Sequence, residues 1–338
     1  MSKISADRVD RASPTILLER EHFDETLRPT VYAVLGYGSQ GRALALNLSD
    51  SGCEVIIGLP AKSKSIAVAT TDSFRNILTV QRAVERADII VFALPDHLHA
   101  RVYKKDIAPH LKTGQTLLFL HGSSVHFGLI EPPNFVDVIM LAPHAPGVTV
   151  REKYLRQESV SSFWTIHQDF TKNARRTLFR FAHMVGISAT PEKMIETTFE
   201  DEAVGDLFGE QVVLCGGLSQ LIHQGFETLV THGISSENAY IEVCYQLDLI
   251  VDLIKRHGIQ GMYERISVAA RYGSYLTGPK IIDADTKKRM RDALKEITSG
   301  RFARALSELG DADVKKLNKD LASLTSPAFE RAAKKFAE

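Results

Sequence analysis

Residues 34–41 read VLGYGSQG, and their reading decides the fold. The residues before them, TVYAVL (30–35), are branched or aromatic and predict a strand. Those after, GRALALNLSDSG (41–52), carry apolar side chains at helical spacing and stop at Gly52. Gly36, Gly38 and Gly41 therefore stand between a strand and a helix, at the G-x-G-x-x-G interval. The first glycine permits the tight turn, and the second lets a pyrophosphate approach the backbone. The third lets helix and strand pack closely, while the helix N-terminus faces the phosphates.

Outward from this turn, short apolar runs recur with room for helices between them. They are CEVIIGL (53–59), ADIIVFALP (87–95), QTLLFLHG (115–122) and VDVIMLAP (136–143). Continuous apolar strands alternating with helices predict a parallel sheet covered on both faces, the Rossmann-type doubly wound α/β class. After about residue 190 strand-like runs give way to long helical patterns. One of them, SENAYIEVCYQLDLIVDLIKRHG, is predicted to start at a Ser235 or Ser236 cap and to end at Gly258. The expected division is a nucleotide-binding domain over 1–190 and an all-helical domain over 191–338.

Composition sets the class. A 338-residue chain with 44% hydrophobic and 24% charged residues is an ordinary globular protein, long enough for two domains. Its formal net charge of zero offers no electrostatic argument for nucleic acid or an anionic membrane. No apolar run reaches transmembrane length, and the start, MSKISADRVDRASP, is polar without a signal core. Cys53, Cys215 and Cys244 lack metal-ligand spacing and read as buried thiols of a reducing compartment. The expectation is a cytoplasmic protein.

The second strand indicates which dinucleotide. An NAD site usually ends that strand with a carboxylate for the ribose hydroxyls. Here IIGLPAKSKS (56–65) offers Ser63, Lys64 and Ser65 and no carboxylate. Hydroxyls and an ammonium suit a 2′-phosphate, which favours NADP.

In VGDLFGEQVVLCGG (204–217), Asp206 and Glu210 lie four residues apart in apolar company. In a helix both share one face and repel unless something positive lies between them. That is either a basic side chain from elsewhere or a divalent metal.

GYGSQGRALALNLSDSG, LPDHLHARVY, HGSSVHFG, APHAPGVTVR, ETTFEDEAVGDLFGEQVVLCGG and LIVDLI occur in this order over residues 30–283. Together they resemble the short, bacterial-type ketol-acid reductoisomerases. The resemblance implies a knotted helical domain, a homodimer or an assembly of dimers, NADPH and two magnesium ions. It implies alkyl migration in a 2-hydroxy-3-keto acid such as 2-acetolactate, then reduction, in branched-chain amino acid biosynthesis. Cofactor contacts fall on Gly36, Tyr37, Gly38, Ser39, Gln40, Gly41, Ser63, Lys64, Ser65, Pro95, Asp96 and Gly147. Asp206 and Glu210 become metal ligands, joined by Glu242 and Gln246 from a later helix that reaches across a subunit interface. His121 and His144 occupy catalytic positions, and Ser267 matches a serine that binds the substrate carboxylate.

The chain departs from that family pattern around one pocket. Gln246 stands where glutamate is expected, His144 where lysine is, and Ser123–Ser124 where phenylalanine and asparagine are usual. Arg271 replaces an acidic residue and Pro60 an arginine. Three functions follow from these readings: a reductoisomerase, an NADPH-dependent reductase of a related 2-keto acid or imine without migration, and a non-catalytic nucleotide sensor.

Overall fold

Residues 30–187, 190 and 192–337 are described by the computed structural model; the polar start over 1–14 lies outside them. The apolar runs form strands where expected: β1 (Val31–Leu35), β2 (Glu54–Gly58), β4 (Ile89–Phe92), β5 (Thr116–Phe119) and β6 (Asp137–Pro143). Three further strands complete one sheet, β3 (Ile77–Leu78), β7 (Ser162–Gln168) and β8 (Met194–Glu196), in the order β3-β2-β1-β4-β5-β6-β7-β8. The first six pair in parallel, but β7 runs antiparallel to β6 and β8 follows it in parallel. The sheet is thus parallel-dominated rather than wholly parallel. It also continues past residue 190, since β8 lies beyond it.

Among the described residues seven α-helices accompany the sheet: α1 (Ser39–Asp50), α2 (Ser65–Thr71), α3 (Val80–Arg86), α4 (His99–Val102), α5 (Ser123–His126), α6 (Gly147–Leu155) and α7 (Ala174–Met184). Alternate strand residues feed two cores. Val34, Ile57, Val91, Leu118 and Ile139 meet Leu44, Leu48 and Leu178 on one face. Leu35, Ile56, Ile90, Phe92 and Phe119 meet Val80, Ala83 and Ile107 on the other. Burial on both faces explains why these strands read as unbroken apolar runs. Buried Asn47 ties α1 down, donating to Val185 O at 3.0 Å and accepting from Arg151 at 2.8 Å.

The chain divides into two compact units, Met1–Ala203 and Val204–Glu338. Helix α8 (Phe199–Phe208) runs through the division and continues as a π turn, Gly209–Leu214, into α9 (Gly216–Thr231). Next come α10 (Ser236–Tyr240), another π turn at Ile241–Tyr245 and α11 (Leu247–Arg265). Ser235 is the cap, its side chain accepting the Asn238 N–H at 3.3 Å. Gly258, with φ of 71°, kinks the helix instead of ending it. Helices α12 (Val268–Ile281), α13 (Ala284–Thr298), α14 (Arg301–Ser307), α15 (Asp311–Ala322) and α16 (Pro327–Phe336) complete the unit. Phe329 of α16 packs edge-on against Phe226 and Tyr240, and Phe336 stacks on Tyr240. No helix among the described residues is long and apolar enough to cross a membrane.

Candidate active site

The glycine turn leaves the carboxyl end of β1, beside β4, where the strand order reverses. In such sheets this crevice receives the ligand. Gly36 has φ of 98°, and a Cβ there would lie 2.4 Å from Ala93 O. A Cβ on Gly41 would meet Gly36 O at 2.5 Å. Gly38 differs, because a Cβ there would meet nothing within 4 Å. Two glycines are therefore required by the protein itself, while the middle one opens outward at the start of α1. That open face, with helix N–H groups behind it, fits a pyrophosphate.

Neighbouring candidates support the turn. Gln40 donates to Ala145 O at 2.7 Å, so its side chain braces the approach to α6. A Cβ on Gly147 would fall 2.1 Å from Ser39 O, which shows how tightly the start of α6 presses on the start of α1. At the end of β2, Ser63 and Ser65 are half-buried and Lys64 is exposed. The Ser65 N–H donates to Ser63 Oγ at 3.3 Å.

Beyond β4 and β5 lies a polar cluster. His121 Nε2 is 2.8 Å from Asp96 Oδ1, and its Nδ1 is 3.3 Å from Ser123 Oγ. His99 stacks on His121 with centroids 5.1 Å apart. Buried His99 places Nδ1 2.9 Å from Ser124 Oγ and Nε2 3.0 Å from Leu94 O. Burial drives the His99 pKa down to about 4; the charge of His121 adds to this, against an upward pull from Asp96. At Asp96 the packed surroundings push the carboxyl up. The hydrogen bond and charge of His121, with His99 and His97 beyond, outweigh that and hold it at about 2.

Asp96, His99 and His121 are the only three histidine, cysteine or acidic side chains among the described residues whose ligand atoms all lie within 4.8 Å of one another. Both nitrogens of His99 are already engaged, and magnesium prefers an all-oxygen shell. The cluster is a hydrogen-bonded network, not the oxygen-donor set expected for that ion.

His144, at the end of β6, is exposed, with Nδ1 3.1 Å from Ser161 Oγ and its ring edge-on to Phe163. Glu202 is a buried carboxylate that the sequence reading passed over. It accepts the N–H of Gly122, directly after His121. The available signal was its position four residues before Asp206, the interval that also separates Asp206 from Glu210.

In the helical unit Asp206 lies in the last turn of α8 and Glu210 sits in the first π turn of that unit. Glu242 sits in the second, and Gln246 follows it, donating from Nε2 to Glu242 Oε2 at 3.3 Å. Both turns contain bonds to the fifth residue back, Cys215 N to Glu210 O and Gln246 N to Ile241 O. Such turns recur at functional sites. Within one chain, Asp206, Glu210 and Glu242 do not gather into a three-ligand group among the described residues. Ser267 caps α12 by accepting the Ala270 N–H at 3.1 Å, which leaves its hydroxyl proton to donate.

Residues 26–190 match the family described as acetohydroxy acid isomeroreductase, NADPH-binding domain, and residues 199–336 match ketol-acid reductoisomerase, C-terminal domain. The chain belongs to the ketol-acid reductoisomerase family. It is 46% identical over 289 residues to ketol-acid reductoisomerase (NADP(+)) of Pyrobaculum aerophilum, covering 86% of this chain and 87% of that one. The solved structure of an NADH-preferring ketol-acid reductoisomerase from an uncultured archean superposes with a TM-score of 0.82 at 36% identity. That match covers 91% of this chain and 95% of the other. A putative oxidoreductase from Jannaschia sp. CCS1, 17% identical with a TM-score of 0.62 over 83% and 100% of the two chains, shares the fold alone. The ketol-acid reductoisomerases are oxidoreductases, and this chain is an enzyme of that kind.

Proposed function

We propose that the chain is an NADPH- and magnesium-dependent ketol-acid reductoisomerase acting on a 2-hydroxy-3-keto acid such as 2-acetolactate. The observation that carries this reading is the open face at Gly38, at the carboxyl end of β1, in a chain that belongs to the family along both halves. In this reading residues 1–190 serve the nucleotide, and residues 191–338 serve metal, substrate and dimerisation. The setting is branched-chain amino acid biosynthesis in the cytoplasm.

The backbone N–H groups of Gly36–Gly41, with Tyr37, Ser39 and Gln40 among them, hold the pyrophosphate. Ser63, Lys64 and Ser65 hold the 2′-phosphate. One relative is named for NADP(+) and another as NADH-preferring; here the absence of a carboxylate between Pro60 and Ser65 supports NADP. Pro95, Asp96 and Gly147 border the nicotinamide end, and NADPH when bound supplies the hydride. Asp96 orients His121 through the 2.8 Å bond, and His121 handles the proton that accompanies reduction.

Asp206, Glu210, Glu242 and Gln246 present only oxygen donors, a set that fits magnesium. Bound there, the metal supplies electrophilic polarisation of the substrate keto group. Among the described residues Asp206, Glu210 and Glu242 form no three-ligand group, and in this reading a second copy completes the set. Ser267 donates its hydroxyl proton to the substrate carboxylate, and His144, steadied by Ser161, faces the keto-acid substrate.

Two residues favour a second reading, reduction without migration. Gln246 brings no charge and donates to Glu242, and His144 is not a permanent cation. NADPH consumption with 2-acetolactate, set against 3-hydroxy-3-methyl-2-ketobutyrate in magnesium, decides between them. Turnover of both substrates supports the reductoisomerase, and turnover of the second alone supports the reductase.

A further inference from the structure

A three-residue clamp joins the two segments read above as phosphate-binding. Tyr37 stands inside the glycine turn and is 6% exposed, its ring edge-on to Phe74. Its hydroxyl donates to Asp72 Oδ2 at 2.8 Å. From α1, Arg42 donates Nε to Asp72 Oδ2 at 2.6 Å and its terminal nitrogen to Oδ1 at 2.8 Å, a two-pronged fork. The Asp72 side chain is 12% exposed, while that of Arg42 is 51% exposed.

Asp72 closes α2, the helix that Ser65 opens. Helix α2 has seven residues, buries only Ala69 completely and has no side-chain cap at its start. A helix this short does not hold itself in water, so its position depends on what anchors it. Ser73 follows with φ of 71°, a left-handed conformation unusual for serine. The chain therefore turns sharply just after the clamped carboxylate. The hydrogen bond from Arg42 lowers the Asp72 pKa, whereas burial and then Asp72 raise that of Tyr37. Around neutral pH the clamp keeps one protonation state. The Arg42 charge is matched by Asp72, so the clamp acts through position and not as an extra cation.

We propose that Tyr37, Asp72 and Arg42 form a cofactor-selectivity device that couples the pyrophosphate turn to α2. It thereby holds Ser63, Lys64 and Ser65 within reach of the 2′-phosphate. Arg42 and Asp72 are positioning residues, and the proposal rests on the reading of that loop as the 2′-phosphate site.

Calorimetric titration with NADPH and with NADH tests it, on the parent and on Asp72→Asn, Arg42→Ala, Arg42→Lys and Lys64→Ala, with thermal melts alongside. Asp72→Asn and Arg42→Ala should weaken NADPH roughly three- to tenfold and NADH less than about twofold, a selective loss of position. Arg42→Lys keeps one of the two prongs and should recover part of the loss. Lys64→Ala should weaken NADPH about tenfold, as expected for losing a charged phosphate contact. A clamp that is only structural would lower the melting temperature and shift both cofactors together, and that result overturns the proposal. If Lys64→Ala changes the preference and the clamp variants do not, the clamp is overturned while the loop reading stands. If the clamp variants alone change it, the assignment of Lys64 falls and the clamp stands. No selective change in any variant overturns both.

Discussion

His99 carries the sharpest pH dependence among the residues of the site. Its imidazole is buried and neutral, with a pKa near 4 against an ordinary 6.5. Between those values the unfolded chain binds a proton that the folded chain does not, so stability falls as pH drops from 6.5 to 4. The loss is on the order of 3 kcal/mol. Asp96 contributes separately, because its stabilisation is lost only as pH falls from 3.8 toward 2. Urea unfolding at pH values through this range should show the first loss in the parent and a flatter profile in His99→Gln. An unchanged profile in the variant would remove His99 as the cause. The glycines make a second test at this scale. Gly38 has φ of −81° and open space around it, so Gly38→Ala should fold with a melting temperature near the parent's. It should weaken NADPH by about tenfold or more, since the methyl occupies the pyrophosphate's approach. Gly36→Ala should instead destabilise by several kcal/mol, on the order of 3 or more, through strain and the clash with Ala93 O. Equal melts for the two variants, or full NADPH affinity in Gly38→Ala, would contradict these assignments.

At the scale of elements, legibility followed burial and length. Strands β1, β2, β4, β5 and β6 are covered on both faces or nearly so, and their apolar runs stand out in the sequence. Strand β7, SFWTIHQ, alternates burial and mixes in serine, threonine, histidine and glutamine, so no continuous run marked it. Strands β3 and β8 have two and three residues and exist through their pairing with neighbours. The π turns were not legible either, since one extra residue per turn hardly alters an apolar period. Two of them carry Glu210 and Glu242, proposed above as metal ligands. The 3.3 Å contact between Gln246 and Glu242 keeps the pair on one face in spite of the wider turn. Gln246→Glu should therefore raise magnesium affinity, a charged oxygen replacing a neutral one. Without metal, the two carboxylates should repel by a few tenths of a kcal/mol. Melts with and without magnesium separate these signs, and a small loss unaffected by magnesium would end the metal reading of this pair.

For the whole molecule, the helical unit leaves large apolar side chains in the open. Leu249 is 62% exposed, Val268 71%, Tyr272 65% and Tyr275 77%, on helices α11 and α12. Large exposed apolar side chains on two successive helices are what an interaction face would present. The chain should be a dimer or an assembly of dimers, and sedimentation showing a folded monomer at micromolar concentration would refute it. The glycine turn and the change to helical patterns were legible in the sequence, because glycine spacing and apolar periodicity are local. The thiols expected to be buried are not: Cys53 and Cys244 are half-buried and Cys215 is exposed. Glu202 and the Tyr37–Asp72–Arg42 clamp depend on contacts between distant segments and left no such local mark. The most direct test of the functional account is the product formed from 2-acetolactate with NADPH and magnesium, identified by NMR. A reductoisomerase forms 2,3-dihydroxy-3-methylbutanoate, in which the methyl group has moved before reduction. Formation of 2,3-dihydroxy-2-methylbutanoate, reduced without migration, or no product at all, would contradict that assignment.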